Sequence, residues 1–141
     1  ELLLIFSFVL SGFIRFLILF VPFRFIARFL GEETADTPEQ IDSETYLKAK
    51  KIGWVIHKIS TITPWESKCL VKAITAAVLL KLRRIPYTMY FGLEKDQSNK
   101  LKAHAWLRCG FLIVTGGREK DQFKVISQFA NVGKLKQSSE R

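Results

Sequence analysis

The sequence contains few of the residues that build disulfides and metal sites. Cysteine occurs only at Cys69 and Cys109, and histidine only at His57 and His104. With two cysteines and no secretory signal, a disulfide framework is not expected, and we predict a reducing, cytoplasmic environment. No C-x-x-C pair occurs, and a zinc site would need ligands that the sequence does not supply. We therefore expect neither a metal nor another cofactor.

The sequence also lacks an uninterrupted apolar run long enough for a membrane span. Residues 2–14 are uncharged, and Arg15 separates them from a shorter uncharged run. A spanning helix needs roughly 18 to 20 apolar residues, and Arg15 would lie near the middle of one. We predict two apolar helices instead, the second running from Pro22 to Gly31 with a basic face. Three alternatives remain open for residues 1–31: docking on the body or a partner, contact with a membrane surface, and a true span.

Charge is distributed unevenly in this chain, whose formal net charge is +9. Residues 31–46 contain six acidic residues and no basic one, whereas residues 47–141 contain nineteen basic residues and six acidic ones. A basic surface attracts nucleic acid, anionic membranes or acidic peptides, and basic side chains also serve simply to solvate a surface. We do not predict a nucleic-acid partner.

Composition divides the chain into four parts. Residues 1–31 hold the apolar helices, and residues 32–42 are typical of an acidic linker. Residues 43–130 form the body, and residues 131–141 are expected to be a flexible tail. The body is the part in which we expect any chemistry.

Within the body, helical patterns come first and strand patterns follow. Ser43 starts a helical pattern that continues to about Ile59, and a second helix is expected from Thr63 to Leu80. Beyond Pro86 the apolar period becomes that of strands. Four short segments are predicted as strands: 87–93, 101–108, 111–114 and 123–127. The expected fold class is therefore α+β, with helices followed by a short antiparallel meander.

Cys69 is placed near the start of the second helix of the body. Thr63, Pro64 and Glu66 are typical of an N-cap, a first-turn proline and a capping-box acid, and Ser67 is an alternative cap. In either case unpaired backbone N–H groups and the positive end of the helix dipole would lie near the sulfur, where they stabilise a thiolate. Cys69 is therefore a candidate nucleophile.

A thiol nucleophile needs a base held in a fixed position, and His104 is the candidate. It lies in a predicted strand whose period of two places Lys102, His104 and Trp106 on one face. Residue types alone leave the pair open to another interpretation, because many cores contain an inert buried cysteine. His57 lies beside the apolar stripe of the preceding helix, where a structural or solvated role is the usual one.

Six short motifs occur in order along the chain: Val21-Pro22-Phe23-Arg24, Arg28-Phe29-Leu30-Gly31, Trp65-x-x-x-Cys69-Leu70, Ile85-Pro86, Gly92-Leu93-x-Lys95-Asp96 and Ala103-His104-Ala105-Trp106. Each motif is loose alone. Together they resemble the signature blocks of the lasso peptide leader peptidases, which are transglutaminase-like cysteine proteases. The resemblance implies a papain/transglutaminase-like fold, with the nucleophile at the N-terminus of a helix that packs on a short antiparallel sheet.

The resemblance also implies a reaction. Such a protease removes the leader from a ribosomally made precursor, and the freed core N-terminus is then closed into a ring by a separate cyclase. Cys69 would be the nucleophile and His104 the general base and later acid; the N–H of Cys69 and Trp65 would face the oxyanion, and Trp106 would bind substrate. The short chain resembles the split form of these systems. Its implied partners are the precursor leader, a separate leader-recognition protein and the lasso cyclase.

The resemblance leaves the third catalytic residue unassigned. The family has an aspartate about a dozen residues after the histidine, where this chain reads Val114-Thr115-Gly116-Gly117. Asp96 lies in a matched motif and is the first candidate to orient His104. Glu119, Asp121 and a backbone carbonyl are the alternatives.

Two other functions remain open from the sequence. One is a non-catalytic adaptor that binds peptides or docks on a membrane through its apolar N-terminus and basic body. The other is a transglutaminase-like acyltransferase, in which an amine replaces water as the acceptor. In each enzymatic reading Cys109 is expected to be dispensable, because it lies at a predicted turn away from His104.

Overall fold

Helices occupy the first half of the chain and strands the second half. The computed structural model describes residues 2–33, 36–62, 69–117 and 120–131. Its helices are α1 (Leu2–Phe20), α2 (Phe23–Leu30), α3 (Ser43–Ser60) and α4 (Cys69–Leu82). Its strands are β1 (Glu32–Glu33), β2 (Tyr87–Lys95), β3 (Leu101–Cys109), β4 (Leu112–Thr115) and β5 (Lys124–Asn131), with a short 3₁₀ turn over Lys120–Gln122. The predicted α+β class is confirmed.

Local signals in the sequence determine where two of the helices begin and end. The carboxylate of Asp42 accepts a hydrogen bond of 2.7 Å from the backbone N–H of Thr45, so α3 has a side-chain N-cap. Helix α2 follows Pro22 and stops at Gly31, whose φ of 135° favours glycine. The predicted caps of α4, Thr63 and Ser67, lie outside the described residues.

Helix α4 is the most deeply buried element and contacts α1, α3 and the sheet. Its buried side chains surround the helix instead of lining one side: Val71, Ala73, Ile74, Thr75, Ala76, Ala77, Leu79 and Leu80. The Thr75 hydroxyl donates a hydrogen bond of 2.7 Å to the Val71 carbonyl, which satisfies the buried polar group. Burial therefore extends well beyond the inner face that the apolar period predicts.

The strands form one antiparallel sheet in the order β1-β5-β2-β3-β4. The β2–β3 hairpin aligns Gly92 with His104 and Tyr90 with Trp106. The predicted meander holds for β2, β3 and β4 but is wrong for the last strand, which returns to pair with β2. Strand β2 offers a free edge nine residues long against four in β4, so β5 satisfies more backbone groups there.

The segment predicted as an acidic linker is docked on the sheet. Glu32 and Glu33 pair with β5, and the following Asp36 and Thr37 meet the guanidinium of Arg108. Arg108 also donates to the carbonyl of Gly110 (2.7 Å), so its buried charge is surrounded by acceptors. Residues 34–35 of this segment lie outside the described ranges.

Asp36 and Arg108 influence each other's ionisation. Partial burial pushes the pKa of Asp36 upward, but the N–H of Thr37 and the Arg108 guanidinium outweigh it and hold that pKa below its usual range. The charged forms of both groups are therefore favoured in the folded protein.

Tyr87 connects the N-terminal helices to the sheet. Its hydroxyl donates a hydrogen bond of 2.6 Å to the carbonyl of Leu30 at the end of α2, and both residues are fully buried. Burial raises the pKa of Tyr87, so the hydroxyl keeps its proton. Helix α2 is thereby fixed against the first residue of β2.

Candidate active site

The start of α4 and the middle of β3 line one small cavity. Cys69 and His104 share it with Phe91 and Leu93 of β2 and with Ile126 of β5, and its volume is about 160 Å³. The other lining residues are small or apolar, so water has few polar partners inside it. Cys69 is partly exposed. The structure thus places both predicted catalytic residues in the lining of one cavity.

The ring of His104 is held on one edge by a backbone carbonyl. Its Nε2 lies 2.8 Å from the carbonyl oxygen of Gly116, the residue that follows β4. A carbonyl oxygen can only accept a hydrogen bond, so Nε2 must carry the proton. In the neutral ring Nδ1 is then unprotonated and available as a base.

Gly116 can bring its carbonyl to His104 because it has no side chain. Its φ is +75°, in the left-handed region that L residues rarely adopt. A Cβ at this position would lie 2.6 Å from the carbonyl oxygen of Ala105 and 2.9 Å from Cβ of Trp106. Any other residue would therefore push the turn away from β3 and away from the imidazole.

Aromatic rings fix the plane of the imidazole. His104 stacks with Phe123 at 4.9 Å between ring centroids and with Trp106 at 5.7 Å, and Trp106 in turn stacks with Tyr90 at 5.6 Å. The prediction that His104 and Trp106 share one face of β3 is confirmed by their stacking. Trp106 is 6% exposed, which leaves it little surface for contact with a substrate. Its evident structural effect is to support the imidazole ring.

Cys69 approaches β3 from the side opposite to the aromatic stack. Ala105 belongs to the core that α4 also joins, whereas His104 stacks with Trp106 on the alternate face of the strand. In the described part of the chain no hydrogen bond joins Sγ of Cys69 to the ring of His104. Catalytic hydrogen bonds often tighten only when substrate is bound. Direct proton transfer requires the two side chains to meet on one side of β3.

The structure does not bring the first candidate acid to His104. Asp96 lies in the β2–β3 turn, where its carboxylate accepts hydrogen bonds from Ser98 and from the N–H of Lys100. His104 pairs with Gly92 in the hairpin, so Asp96 is four residues further along β2, about 13 Å at the rise of a strand. The hydrogen bonds from Ser98 and Lys100 lower the pKa of Asp96, which is the behaviour of a loop cap.

Asp121, Glu119 and a backbone carbonyl are the other candidates for orienting His104. Asp121 lies in the 3₁₀ turn, its side chain is 92% exposed, and it pairs with Lys120 at 3.0 Å. Glu119 and Trp65 lie outside the described residues. Of the alternatives, the backbone carbonyl is the one that lies at His104, and Gly116 supplies it.

The remaining sulfur and imidazole groups are separate from the cavity. Cys109 ends β3 and is fully buried, and burial raises the pKa of its thiol to about 11. His57 is on the exposed side of α3, as a solvated histidine would be. Within the described ranges no cluster of histidine, cysteine and acidic side chains is arranged to hold a metal ion.

Comparison with known protein families identifies the family to which this chain belongs. A model of the transglutaminase-like superfamily matches residues 16–128, about four fifths of the chain. The chain belongs to the transglutaminase-like superfamily. That superfamily includes cysteine proteases and acyltransferases, and its match covers α4 and the β2–β4 unit completely. Searches of curated proteins and of solved structures returned no significant match.

Two residues that contact His104 could not be predicted from residue type. Gly116 contacts the ring through its backbone carbonyl, and Phe123, which the sequence predicts as part of the last strand, lies just before β5. The sequence points to Gly116 only indirectly: Gly116-Gly117 lie where the lasso peptide leader peptidases, which this chain resembles, have an aspartate. Gly116 is twelve residues after His104, at the expected separation, but it offers a carbonyl in place of a carboxylate.

Proposed function

We propose that this protein is a cysteine protease that removes the leader from a lasso peptide precursor. The observation that carries the proposal is the cavity shared by Cys69 and His104, with Nε2 of His104 held by the carbonyl of Gly116. Membership of the transglutaminase-like superfamily supports chemistry at a cysteine. The six motifs support the choice of substrate.

The proposed mechanism begins with the two side chains brought together on one side of β3. Nδ1 of His104 then takes the proton of the Cys69 thiol, and the thiolate attacks the carbonyl carbon of the scissile peptide bond. The oxyanion accepts a hydrogen bond from the N–H of Cys69, with Trp65 assisting. The imidazolium protonates the leaving amine, which departs as the N-terminus of the core peptide and leaves the leader as a thioester on Cys69. Water, deprotonated by His104, then hydrolyses the thioester and releases the leader carboxylate.

A neutral carbonyl is a chemically sufficient third member. Its task is to fix the tautomer and the plane of the imidazole, and papain-like enzymes use the amide oxygen of an asparagine for it. The carbonyl of Gly116 offers the same kind of oxygen at 2.8 Å. Asp96, Glu119 and Asp121 are then not needed for orientation.

The proposed partners follow from the substrate. A separate leader-recognition protein delivers the precursor leader, and the lasso cyclase takes up the freed core in the cytoplasm. The basic body contributes attraction for acidic residues of the leader.

The test is to incubate the protein with precursor and recognition protein and to follow release of the leader by mass spectrometry. Wild type and Cys109→Ala are expected to release it, whereas Cys69→Ala and His104→Ala are not. Release by Cys69→Ala would overturn the cysteine mechanism. Transfer of the leader to an added amine, without hydrolysis, would instead identify an acyltransferase.

A further inference from the structure

Helix α1 buries small polar side chains and exposes large apolar ones, the reverse of a helix on the surface of a water-soluble protein. Its fully buried polar residues, Ser7 and Ser11, face the protein body, and Ile14 is buried on the same side. The Ser11 hydroxyl donates to the carbonyl of Phe8, which satisfies it within the helix. Serines four residues apart let another helix approach closely, a feature common between helices in membranes.

The opposite side of α1 carries large apolar side chains into solvent. We call it the outer stripe; its residues are 48% to 84% exposed: Leu2, Ile5, Phe6, Val9, Phe13, Phe16 and Phe20. At about 100° per residue these positions fall within about 100° of the helix circumference. The stripe is about 28 Å long and contains no charged residue. Continuous apolar surface of this extent marks contact with another apolar phase.

The stripe continues into a groove between α1, α2 and α4. Phe13 belongs to both, and the groove has a volume of about 340 Å³. Phe25 and Phe29 form the α2 wall of the groove, and Ile74 and Val78 form its floor on α4. The lining of the groove is almost entirely apolar, so it suits the acyl region of a bilayer and not a polar ligand.

Cations lie along the edge of this groove. The Lys81 ammonium donates to the carbonyl of Phe29 at 2.6 Å and lies over its ring, and the Arg24 guanidinium lies over the ring of Phe25. Residues 2–30 contain Arg15, Arg24 and Arg28 and no acid, and Glu33 is the acid that lies beside Arg24 and Arg28. With Lys81, basic groups outnumber acidic ones along this edge, which is complementary to anionic lipid headgroups.

We propose that α1 and α2 dock the protein on an anionic membrane surface, with α1 lying in the plane of the bilayer. The outer stripe of α1, the apolar groove and the charge at its edge support this proposal. Helix α1 is long and apolar enough to cross a membrane. It packs on α3 and α4, however, and α3 carries four exposed lysines at positions 48, 50, 51 and 58. An in-plane helix keeps these contacts and leaves the lysines in water.

The experiment is flotation of the full chain, diluted from detergent, with vesicles of phosphatidylcholine alone or mixed with phosphatidylglycerol. Wild type is expected to float with the mixed vesicles and to be partly released by high salt. The stripe variant Phe6→Ser/Phe16→Ser should bind about 100-fold more weakly. Its matched control is Leu47→Ser/Leu101→Ser, which changes two side chains that are 63% and 65% exposed elsewhere and should float like wild type.

A second pair of variants tests the charge. Arg24→Gln/Arg28→Gln should lose about 30-fold in affinity for the anionic vesicles, whereas Lys50→Gln/Lys51→Gln on α3 should lose little. Thermal unfolding of each variant verifies that the fold is intact. Failure of the wild type to float, equal binding by the stripe variant and its control, or a dimer in solution that depends on the outer stripe would each overturn the proposal.

Discussion

Substitution of Gly116 by alanine isolates the role of the carbonyl that holds His104. The added Cβ would lie 2.6 Å from a backbone oxygen, and an L residue at a φ of +75° is strained by about 1–2 kcal/mol. The turn must shift because its nearest neighbour is backbone, and the hydrogen bond to Nε2 is then lost. The protein is expected to fold with slightly lower stability and with a free imidazole edge.

The size of the effect follows from the hydrogen bond that disappears. A hydrogen bond to a charged group contributes about 1.5–3 kcal/mol, and the imidazolium is charged when it protonates the leaving amine. At about 1.4 kcal/mol for each factor of ten, kcat should fall about 10- to 100-fold. Because the ring is not proposed to bind the leader, KM should change less than about threefold.

The assay is steady-state release of leader by the Gly116→Ala variant, with Gly117→Ala as the matched control. Among the described residues, a Cβ at Gly117 would meet the side chain of Ile113 alone, at 3.0 Å, and this side chain can move. Gly117→Ala should therefore keep kcat within about twofold of wild type. A Gly116→Ala variant with the kcat of wild type, or a rise in KM alone, would refute the role of the carbonyl.

Further predictions concern groups around the site. In the native protein a thiol reagent should modify Cys69 and leave Cys109 intact near neutral pH, because Cys109 is buried and its pKa is raised to about 11; intact mass shows one adduct, and two would contradict its burial. Arg108→Met should lower the free energy of unfolding by about 2–4 kcal/mol, since the carbonyls that it contacts lose their donor; unchanged denaturant unfolding would show that the cluster is not stabilising. Asp36 has a depressed pKa in the fold, so its contribution is fully present above its unfolded pKa of about 3.9 and is lost as pH falls through the folded value. Asp36→Asn should therefore be less stable than wild type near neutral pH and should approach it in acid, and a constant difference would be inconsistent with this linkage. Gly92→Ala should destabilise by about 1–3 kcal/mol because its Cβ would lie 2.7 Å from Cβ of Phe123 beside His104, which thermal unfolding measures against a variant in the exposed turn, Gln97→Ala.

Local chemistry made part of this structure predictable. Proline and glycine bracket α2, a side-chain cap begins α3, and alternation along β3 places His104 beside Trp106. Each of these features depends on residues within a few positions of one another. The α+β class followed from such features, whereas the choice of Cys69 followed from predicted caps at Thr63 and Ser67, which lie outside the described residues.

The unpredicted features depend on contacts between distant residues. Strand β5 could pair with the free edge of β2 or with that of β4, and it pairs with β2. The contact between Asp36 and Arg108 joins residues 72 positions apart. Asp96 matched a motif, but its carboxylate accepts a hydrogen bond from Ser98 within its own loop and is not at His104. The Gly116 contact is made by a backbone atom, which every residue has, so residue type could not identify it.

Trapping of the leader on Cys69 tests the central claim most directly. The precursor and recognition protein are mixed with the enzyme, the reaction is stopped by acid within a turnover, and the intact mass and peptide map of the enzyme are measured. The account predicts an adduct with the mass of the leader as an acyl group, mapped to the peptide that contains Cys69 and absent from His104→Ala. Release of leader without any adduct, together with full activity of Cys69→Ala, would contradict it.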